Sequence, residues 1–435
     1  MGLQNVFTIA GMMANPAVIR SFSDILKKFR ADPSFSLKNY LRSAKRMASG
    51  EKILKYDGKY IISSFLPPFP SKAFMNTVDA VVDPGRFYHC TAYFRKTAPI
   101  SMFVSLTDRC PYSCVHCSAA GRRKAPELSA GDWKRVIAGL QDMGVGVIGF
   151  TGGEPMLRND LEEIIAGADE RSVIYVFTSG AGLTAERARS LKESGAFGTG
   201  ISLDSIYPDI HNRIRQNGRS FQTAADAIGN SRKAGLYTMV QTLVTRDRIS
   251  REELFPFFKH SRELGAQEVR ILEPIKSGRF LDGQDDGENV FYERADREEL
   301  IRLQYKANKT AGMPKVTTFA DTESSRKFGC GAGLQHSYIN SAGDLQPCDF
   351  AQLSFGNVRE AGIKELWEKM RDCFDAPQTG CFAQKIHREV AGLSSEGGLP
   401  LSKDHSESIC RKYMNPIYPE YFTLAQGTGS GRGRP

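Results

Sequence analysis

From residue 99 onwards, short apolar runs alternate with longer amphipathic segments. The apolar runs are rich in β-branched and aromatic residues and are bounded by turn residues, which is typical of buried strands. In the segments between them, apolar residues recur at helical spacing, and several segments open with Ser, Thr or Asp and close near Gly, as helices do. The predicted strands span 100–106, 145–150, 172–177, 197–203, 236–244 and 267–272, and the predicted helices span 128–144, 160–170, 184–195, 221–235 and 251–265.

Six strands that alternate with helices in this order predict a parallel sheet with right-handed crossovers. The sheet is either a partial barrel or an open doubly wound sheet. In both arrangements, functional residues collect at the carboxyl ends of the strands. We therefore expect the chemistry of this α/β chain in the loops that follow the strands.

Residues 1–98 precede the alternating region and are expected to form an N-terminal accessory region. Between Pro16 and Phe29, apolar residues recur at helical spacing opposite Arg and Lys side chains, which predicts an amphipathic helix. That helix either packs on the main domain or lies on an anionic membrane surface. The proline-rich segment Phe65–Phe74 predicts an extended linker.

Composition places the chain among globular proteins. Its 435 residues are 41% hydrophobic and 25% charged, which excludes a disordered chain. We find no apolar run of about 18 residues, the length that a transmembrane helix needs. The first residues also lack the pattern of a secretory signal, so a cytoplasmic location is expected. The net charge of +9 indicates either a generally basic surface or an anionic partner. No nucleic-acid partner is expected. Residues 413–435 are expected to form a basic, Gly-rich tail, whose last stretch, 427–435, is expected to be disordered.

The nine cysteines are more typical of metal ligation than of disulfides in a reducing compartment. Cys110, Cys114 and Cys117 follow the first predicted strand directly, and this spacing arises by chance in roughly one of 250 chains of this length and cysteine content. Three thiolates on one loop can hold three irons of a cubane cluster and leave the fourth iron open. A zinc loop or three structural cysteines is the alternative.

The cysteine loop resembles the signature of radical S-adenosylmethionine (SAM) enzymes, in which the open iron of a [4Fe-4S] cluster binds SAM. The resemblance covers roughly residues 99–310, which it identifies as the radical SAM core, a partial (β/α)6 TIM-like barrel. Gly152, Gly153 and Glu154 follow the second strand and resemble the family's GGE motif. There the glycines let the backbone approach SAM, and the glutamate accepts a hydrogen bond from its amino group.

Three further features resemble the family's SAM pocket. Ser179 follows the third strand in Thr-Ser-Gly, where relatives often carry Thr-Asn-Gly. Ser202 and Asp204 close the fourth strand and are similar to a motif near the SAM ribose. His116 occupies the place of a residue that lies along the adenine. A helix N-cap is the alternative role for Ser202 and Asp204.

A second group of cysteines follows the predicted barrel. Cys330 and Cys348 flank a predicted hairpin with its turn at residues 341–344, which brings them together as metal ligands. This spacing resembles the C-terminal SPASM or twitch domains of many radical SAM enzymes, assigned here to residues 311–412 as a small α+β domain. Cys373 and Cys381 are expected to complete one auxiliary [4Fe-4S] site, with Cys410 left out. Two auxiliary clusters, a zinc site or a metal-free domain are the alternatives.

The resemblance implies that the enzyme reductively cleaves SAM to a 5′-deoxyadenosyl radical, which abstracts hydrogen from the substrate. An electron donor such as flavodoxin or ferredoxin is expected. Because SPASM and twitch relatives frequently modify peptides, peptide or protein maturation is the leading hypothesis. The alternatives are a lipid or small metabolite modified at a membrane surface, with peripheral membrane contact, and a non-enzymatic iron–sulfur electron carrier. The motifs name no catalytic acid or base.

Overall fold

The computed structural model describes residues 3–281 and 290–427. The N-terminal region holds three helices, a two-stranded hairpin and two shorter helices. They are α1 (Leu3–Met13), α2 (Pro16–Ala31), α3 (Leu37–Met47), β1 (Leu54–Tyr56), β2 (Lys59–Ile61), α4 (Lys72–Asp79) and α5 (Phe87–Ala92). Among the described residues, no helix combines the length and the apolar character needed to cross a bilayer.

Helix α2 confirms the amphipathic prediction. The side chain of Asn15 caps its first turn by accepting from the Ala17 amide, and a proline at the first helical position favours this start. Its apolar face is buried in an aromatic cluster, where the Phe29 ring lies 5.2 Å from that of Tyr88 and 5.7 Å from that of Phe87. The helix therefore packs on the rest of the accessory region.

The predicted linker, Phe65–Phe74, ends earlier than expected. Helix α4 begins at Lys72, and the Ser71 hydroxyl caps its first turn.

The main domain is built on one open nine-stranded sheet, whose first seven strands in the chain are parallel. These strands are β3 (Ser101–Ser105), β4 (Val147–Thr151), β5 (Val173–Thr178), β6 (Ala196–Ser202), β7 (Tyr237–Leu243), β8 (Glu268–Leu272) and β9 (Lys315–Thr318). The helices between and after them are α6 (Ala130–Met143), α7 (Leu161–Ile165), α8 (Ala185–Glu193), α9 (Pro208–Arg215), α10 (Ser220–Lys233), α11 (Arg251–Leu264), α12 (Arg294–Lys309) and α13 (Phe319–Thr322). The α/β prediction is confirmed, and all six predicted strands are present.

The seventh strand, β9, and its preceding helix α12 were not predicted. The strand has only four residues, Lys-Val-Thr-Thr, and one apolar side chain. Lys315 is buried because its ammonium contacts the carboxylate of Glu51 at 2.6 Å. Glu51 also contacts Lys327 at 3.1 Å. Burial alone would raise the pKa of Glu51, but the two lysines lower it. This buried ion cluster fastens the accessory region to the edge of the sheet.

The C-terminal region extends the same sheet. Strands β10 (His336–Ile339) and β11 (Leu345–Gln346) form the predicted hairpin, and β10 also pairs in parallel with β3. Four helices follow: α14 (Ile363–Arg371), α15 (Phe382–Gly397), α16 (Lys403–Tyr413) and α17 (Glu420–Gln426). Helix α17 corrects the predicted tail, because Phe422 is fully buried and the Tyr88 hydroxyl donates to the Ala425 carbonyl at 2.7 Å. Residues 428–435 lie outside the described residues.

Candidate active site at the strand ends

The cysteine loop begins where β3 ends. Cys110 is exposed, Cys117 is half-buried and Cys114 is buried. Neighbouring segments hold the loop, since the Val115 amide donates to the Ile214 carbonyl at 3.0 Å and the Arg279 amide donates to the Cys117 carbonyl at 3.1 Å. The loop therefore has a defined path over the strand ends.

The electrostatic environment of Cys114 includes a cation. Burial raises the pKa of this thiol, and the nearby Arg215 guanidinium opposes that rise. Arg215 Nη1 lies 3.7 Å from Cys114 Sγ. A bound metal ion deprotonates a coordinating thiol, and Arg215 would then donate to the resulting thiolate. Three thiols on one loop with a cation beside one of them fit the donor set of a cluster with one open iron.

Gly152 and Gly153 follow β4 and let its end pack directly against the backbone before the cysteine loop. The Gly153 amide donates to the Thr107 carbonyl at 2.7 Å, and the Glu154 amide donates to the Arg109 carbonyl at 2.8 Å. A Cβ atom on Gly153 would lie 2.3 Å from the Arg109 carbonyl oxygen, and one on Gly152 would lie 2.4 Å from that of Thr107. Both glycines are therefore required for this packing. Their predicted contact with SAM remains a prediction.

Glu154 is fully buried and joins two strand-end loops. Its carboxylate accepts from the Thr178 hydroxyl at 2.6 Å, from the Ser179 amide at 2.8 Å, from the Ser179 hydroxyl at 2.5 Å and from the Met156 amide at 3.1 Å. Burial raises the pKa of Glu154, and these hydrogen bonds lower it in part. Because the carboxylate accepts four hydrogen bonds, its first role is to hold together the loops that follow β4 and β5. The predicted contact with the SAM amino group remains a prediction.

Asp204 is also fully buried and pairs with Arg215, whose Nε lies 2.7 Å from Oδ2. Although burial would raise its pKa, the charge of Arg215 and the nearby histidines hold the pKa of Asp204 at about 2. The next helix begins at Pro208 with Tyr207 as its N-cap, so neither Ser202 nor Asp204 caps it. Asp204 and Arg215 instead form a chain that ends at Cys114.

His116 lies beside this chain. Burial lowers its pKa to about 4, which leaves a neutral ring at pH 7. A neutral aromatic ring suits the predicted contact with adenine, which remains a prediction. Arg215 was missed at the sequence level because an arginine near the end of an amphipathic helix is usually a surface residue, and its spacing from Cys114 carries no signal.

The auxiliary thiols form two groups. Cys330 and Cys381 lie within hydrogen-bonding contact of each other. Cys348 lies near enough for an electrostatic interaction with each of them. Two backbone amides donate to their sulfurs, Phe382 to Cys330 at 3.5 Å and Ala351 to Cys348 at 3.3 Å. These three thiols line one cavity, and sulfur ligands of this kind fit an iron–sulfur cluster.

Cys373 is not in this group. It lies after the end of α14 and is hydrogen-bonded to Cys410 on α16. The predicted four-thiolate site of Cys330, Cys348, Cys373 and Cys381 is therefore not the grouping in the structure. The physical reason is that α15 begins directly after Cys381 and holds it at Cys330, whereas α16 packs on α15 and brings Cys410 to Cys373.

A cavity of about 1030 Å³ connects the interior of the sheet with these three thiols. Phe103, Phe177 and Arg270 line it from the strands, Phe65 from the accessory region and Phe319 from α13. Most of its wall is apolar, which is typical of a small-molecule or side-chain pocket. No single motif could have predicted it, because its wall comes from all three regions of the chain.

Direct hydrogen bonds connect the cysteine loop to the C-terminal region. The Ser341 hydroxyl donates to Asp108 Oδ2 at 2.6 Å, and the Gln352 side-chain amide donates to the Ser118 carbonyl at 3.1 Å. The Leu128 amide donates to the Ser341 carbonyl at 2.8 Å. The hairpin that Cys330 and Cys348 flank is thus fixed to the segment that bears the first three cysteines.

Two family models match the chain. The radical SAM superfamily model matches residues 104–258, and the iron–sulfur cluster-binding SPASM model matches residues 330–387. These matches confirm the resemblance and the expected cofactors: SAM and a [4Fe-4S] cluster in the first domain and an auxiliary iron–sulfur cluster in the second.

Curated relatives are similar over most of their length. The AdoMet-dependent heme synthase of Nitratidesulfovibrio vulgaris is 29% identical over 336 residues, which are 70% of this chain and 90% of that protein. The mycofactocin maturase MftC of Mycolicibacterium smegmatis is 29% identical over 70% of this chain and 82% of that protein. The PqqA peptide cyclase of Gluconobacter oxydans is 28% identical over 62% of this chain and 76% of that protein.

Among solved structures, SuiB from Streptococcus suis bound to the precursor peptide SuiA aligns with a TM-score of 0.53 and 18% identity. The alignment covers 66% of this chain and 70% of that one. At this identity the likeness concerns the fold, and it agrees with the open α/β sheet described above.

Proposed function

We propose that this chain, a radical SAM enzyme with a C-terminal SPASM iron–sulfur domain, modifies a peptide or protein substrate. A cluster held by Cys110, Cys114 and Cys117 would supply the electron for reductive cleavage of SAM, and so the radical chemistry that removes hydrogen from the substrate. The chain itself binds, orients and shields the reacting groups from water. Peptide substrates are supported by the maturase and cyclase names of curated relatives.

For the SAM site, we assign the cluster to Cys110, Cys114 and Cys117. SAM would lie across the strand ends between Gly152, Gly153 and Glu154 on one side and Ser202 and Asp204 on the other. Ser179 and His116 would flank it. Glu154 keeps two loops in place, and the pair of Asp204 and Arg215 places a positive charge at Cys114. These residues position the cofactors without exchanging protons.

For the auxiliary site, we assign the cluster to Cys330, Cys348 and Cys381. Cys373 and Cys410 lie together elsewhere and are assigned no part in it. Three protein thiolates leave one position of a [4Fe-4S] cluster for another ligand. The same three thiols line the cavity.

The observation that carries the proposal is the cavity of about 1030 Å³, bounded by the sheet and the auxiliary thiols. A volume of this size encloses a drug-sized ligand, and it can therefore hold a short segment of a longer substrate. Its position lets a substrate group lie in the sheet interior and beside the auxiliary site at the same time. This arrangement suits a reaction in which the substrate also loses an electron.

The test is anaerobic reconstitution with iron, sulfide and SAM, followed by assay for 5′-deoxyadenosine. Short peptides encoded beside the gene are then added, and their mass is followed. A mass change that requires SAM and the auxiliary cysteines supports the proposal. Absence of 5′-deoxyadenosine with an intact cluster would contradict it.

A second candidate is modification of a tetrapyrrole. Two observations favour it. Some curated relatives are named heme synthases, and their alignments with this chain cover up to 90% of those proteins. The wall of the cavity also contains several aromatic side chains. An optical titration with an iron porphyrin distinguishes the two candidates. A stoichiometric shift of the porphyrin absorption that substrate peptides do not displace would favour the tetrapyrrole.

We also propose that the accessory region makes a peripheral contact with an anionic membrane. Of the eleven large apolar side chains exposed by the described residues, six lie on the first three helices: Val6, Phe7, Met13, Ile19, Leu37 and Leu41. Residues 3–47 also contain eight Lys or Arg and two Asp. Exposed apolar groups beside cations are typical of an interfacial helix. A second copy of the chain would bring like charges together.

Flotation with phosphatidylcholine vesicles, with and without phosphatidylglycerol, tests this contact. The double variant Phe7→Glu and Leu41→Glu should lose binding to the anionic vesicles. The matched control is Val82→Glu with Ile417→Glu, which changes exposed apolar residues elsewhere and should bind normally. Equal binding by both double variants would contradict the proposal.

A flavodoxin or ferredoxin is proposed as the electron donor, and each can be tested in the 5′-deoxyadenosine assay.

A further inference from the structure

Arg270 lies in the middle of β8 and points into the cavity. The residue is only 3% exposed. Three phenylalanine rings surround its guanidinium, with ring centroids 4.8 Å away for Phe65, 5.5 Å for Phe177 and 5.6 Å for Phe319. This aromatic frame fixes the plane of the guanidinium.

No anion contacts this guanidinium within the described part of the chain. Its Nε is buried without a hydrogen-bond partner. The nearest acid along the strand, Glu268, is already engaged by the hydroxyls of Ser64, Thr317 and Tyr237, the last at 2.7 Å. The carboxylates of Glu268 and Asp349 attract this guanidinium through space, but a buried charge without a direct ion pair is still costly. The arginine is therefore positioned for an anion that the chain does not supply.

Gln241 is the neighbour of Arg270 in the register of β7 and β8. It also lines the cavity, and its side-chain oxygen is buried without a partner. A forked donor and a free acceptor thus lie side by side on adjacent strands. Both point toward the same space, so one ligand can satisfy both.

We infer that Arg270 binds a carboxylate of the substrate, with Gln241 accepting an N–H or O–H beside it. This inference rests on the proposed function and names the substrate class. The planar guanidinium pairs with a planar carboxylate through two parallel hydrogen bonds. A phosphate is disfavoured because Asp349 shares the cavity wall, and its carboxylate repels a dianion more strongly than it repels a single carboxylate. The aromatic frame suits an apolar body attached to the carboxylate.

The carboxylate has two possible sources, the side chain or C-terminus of a peptide and an acidic substituent of a ring system. Both share the chemistry that Arg270 recognises. The second source belongs to the tetrapyrrole candidate. The experiment therefore includes a probe for the shared chemistry and one pair of probes for each source.

The first probes are 4-phenylbutyrate and its neutral counterpart 4-phenylbutyramide, titrated into the reconstituted protein with thermal unfolding as the readout. The wild-type protein should bind the carboxylate about tenfold more tightly than the amide, or better. Arg270→Met should abolish that preference and raise the melting temperature without ligand, because an unpaired buried charge is removed. Arg294→Met is the control, since this exposed arginine borders the same cavity and pairs with Glu298, and it should retain the preference.

Arg270→Lys keeps the charge but not the fork, and it should retain a reduced preference even if the methionine variant fails to fold. Equal binding of both phenylbutyl probes by the wild-type protein would overturn the inference, as would a preference that survives in Arg270→Met. Protoporphyrin IX against its dimethyl ester, and a short peptide acid against its amide, then identify the source. Formation of 5′-deoxyadenosine by the wild-type protein without probes tests the proposed function separately.

Discussion

The two thiol sites of this molecule are held in different ways. The first three thiols lie within eight residues, Cys110 to Cys117, on one loop over the strand ends. The auxiliary thiols Cys330, Cys348 and Cys381 come from three segments that only the folded C-terminal region brings together. At the first site a charged group, Arg215, donates to Cys114 in addition to a backbone hydrogen bond to Cys110, whereas backbone amides donate to Cys330 and Cys348 at the second.

This difference indicates two kinds of control. A charged donor stabilises a thiolate more strongly than a neutral amide does, so a side-chain substitution can tune the first site. The second site depends on backbone positions, which a substitution at one side chain changes little. Substitution of a residue that neighbours the ligands should therefore have a graded effect at the first site and little effect at the second, where only the loss of a ligand should matter.

The largest effect is expected at the first site. Replacing Cys110, Cys114 and Cys117 with Ala should remove about four irons and abolish 5′-deoxyadenosine formation. The fold should persist, since the loop lies outside the apolar core. Iron analysis and the anaerobic SAM assay measure both outcomes. Residual SAM cleavage by the triple variant would contradict the assignment of the cluster.

The next effect distinguishes the two auxiliary groups. Cys381→Ala should remove about four irons and abolish substrate turnover, yet preserve SAM cleavage in the absence of substrate, because the first site is untouched. Cys373→Ala is the matched control and should leave the iron content unchanged. Iron loss in Cys373→Ala would instead support the four-thiolate site predicted from the sequence. Iron loss in Cys410→Ala as well would indicate a second auxiliary site.

Arg215→Met should lower the rate of SAM cleavage by about tenfold to a hundredfold, since it removes one charged donor to sulfur and the partner of Asp204. It should also change the pH dependence of stability. The pKa of Asp204 is depressed to about 2, so its stabilising effect is present above about pH 4, the usual pKa range, and is lost as the pH falls toward 2. Thermal unfolding between these pH values should show a smaller acid-induced loss in Arg215→Met. Identical acid profiles would contradict the pairing.

Much of the parallel sheet was predictable because each of the six predicted strands is an apolar run bounded by turns, and the motifs lie at the strand ends. The hairpin was predictable for the same local reason. Lys315 on β9 was not, since a buried lysine depends on Glu51 from the distant accessory region. The grouping of Cys373 with Cys410 and the position of Arg270 in the cavity were not predictable either. Both depend on how helices and strands from separate regions pack, and the spacing of residues along the sequence does not indicate that packing.

The smallest effects should separate support from direct contact with SAM. Glu154→Gln keeps the size of the side chain but offers only one acceptor oxygen to four donors. It should therefore lower the free energy of unfolding by about 1–3 kcal/mol and SAM affinity by about tenfold. Thermal unfolding and equilibrium SAM binding measure the two changes.

Ser202→Ala is the complementary variant. Its hydroxyl has no hydrogen bond within the described residues, so stability should change by less than about 0.5 kcal/mol. If Ser202 contacts SAM as proposed, its loss should still weaken binding severalfold, since one neutral hydrogen bond contributes about 1 kcal/mol. Weaker binding without a change in stability identifies a direct contact. Unchanged SAM binding in Ser202→Ala would remove this residue from the site and leave Glu154 as a support for the loops.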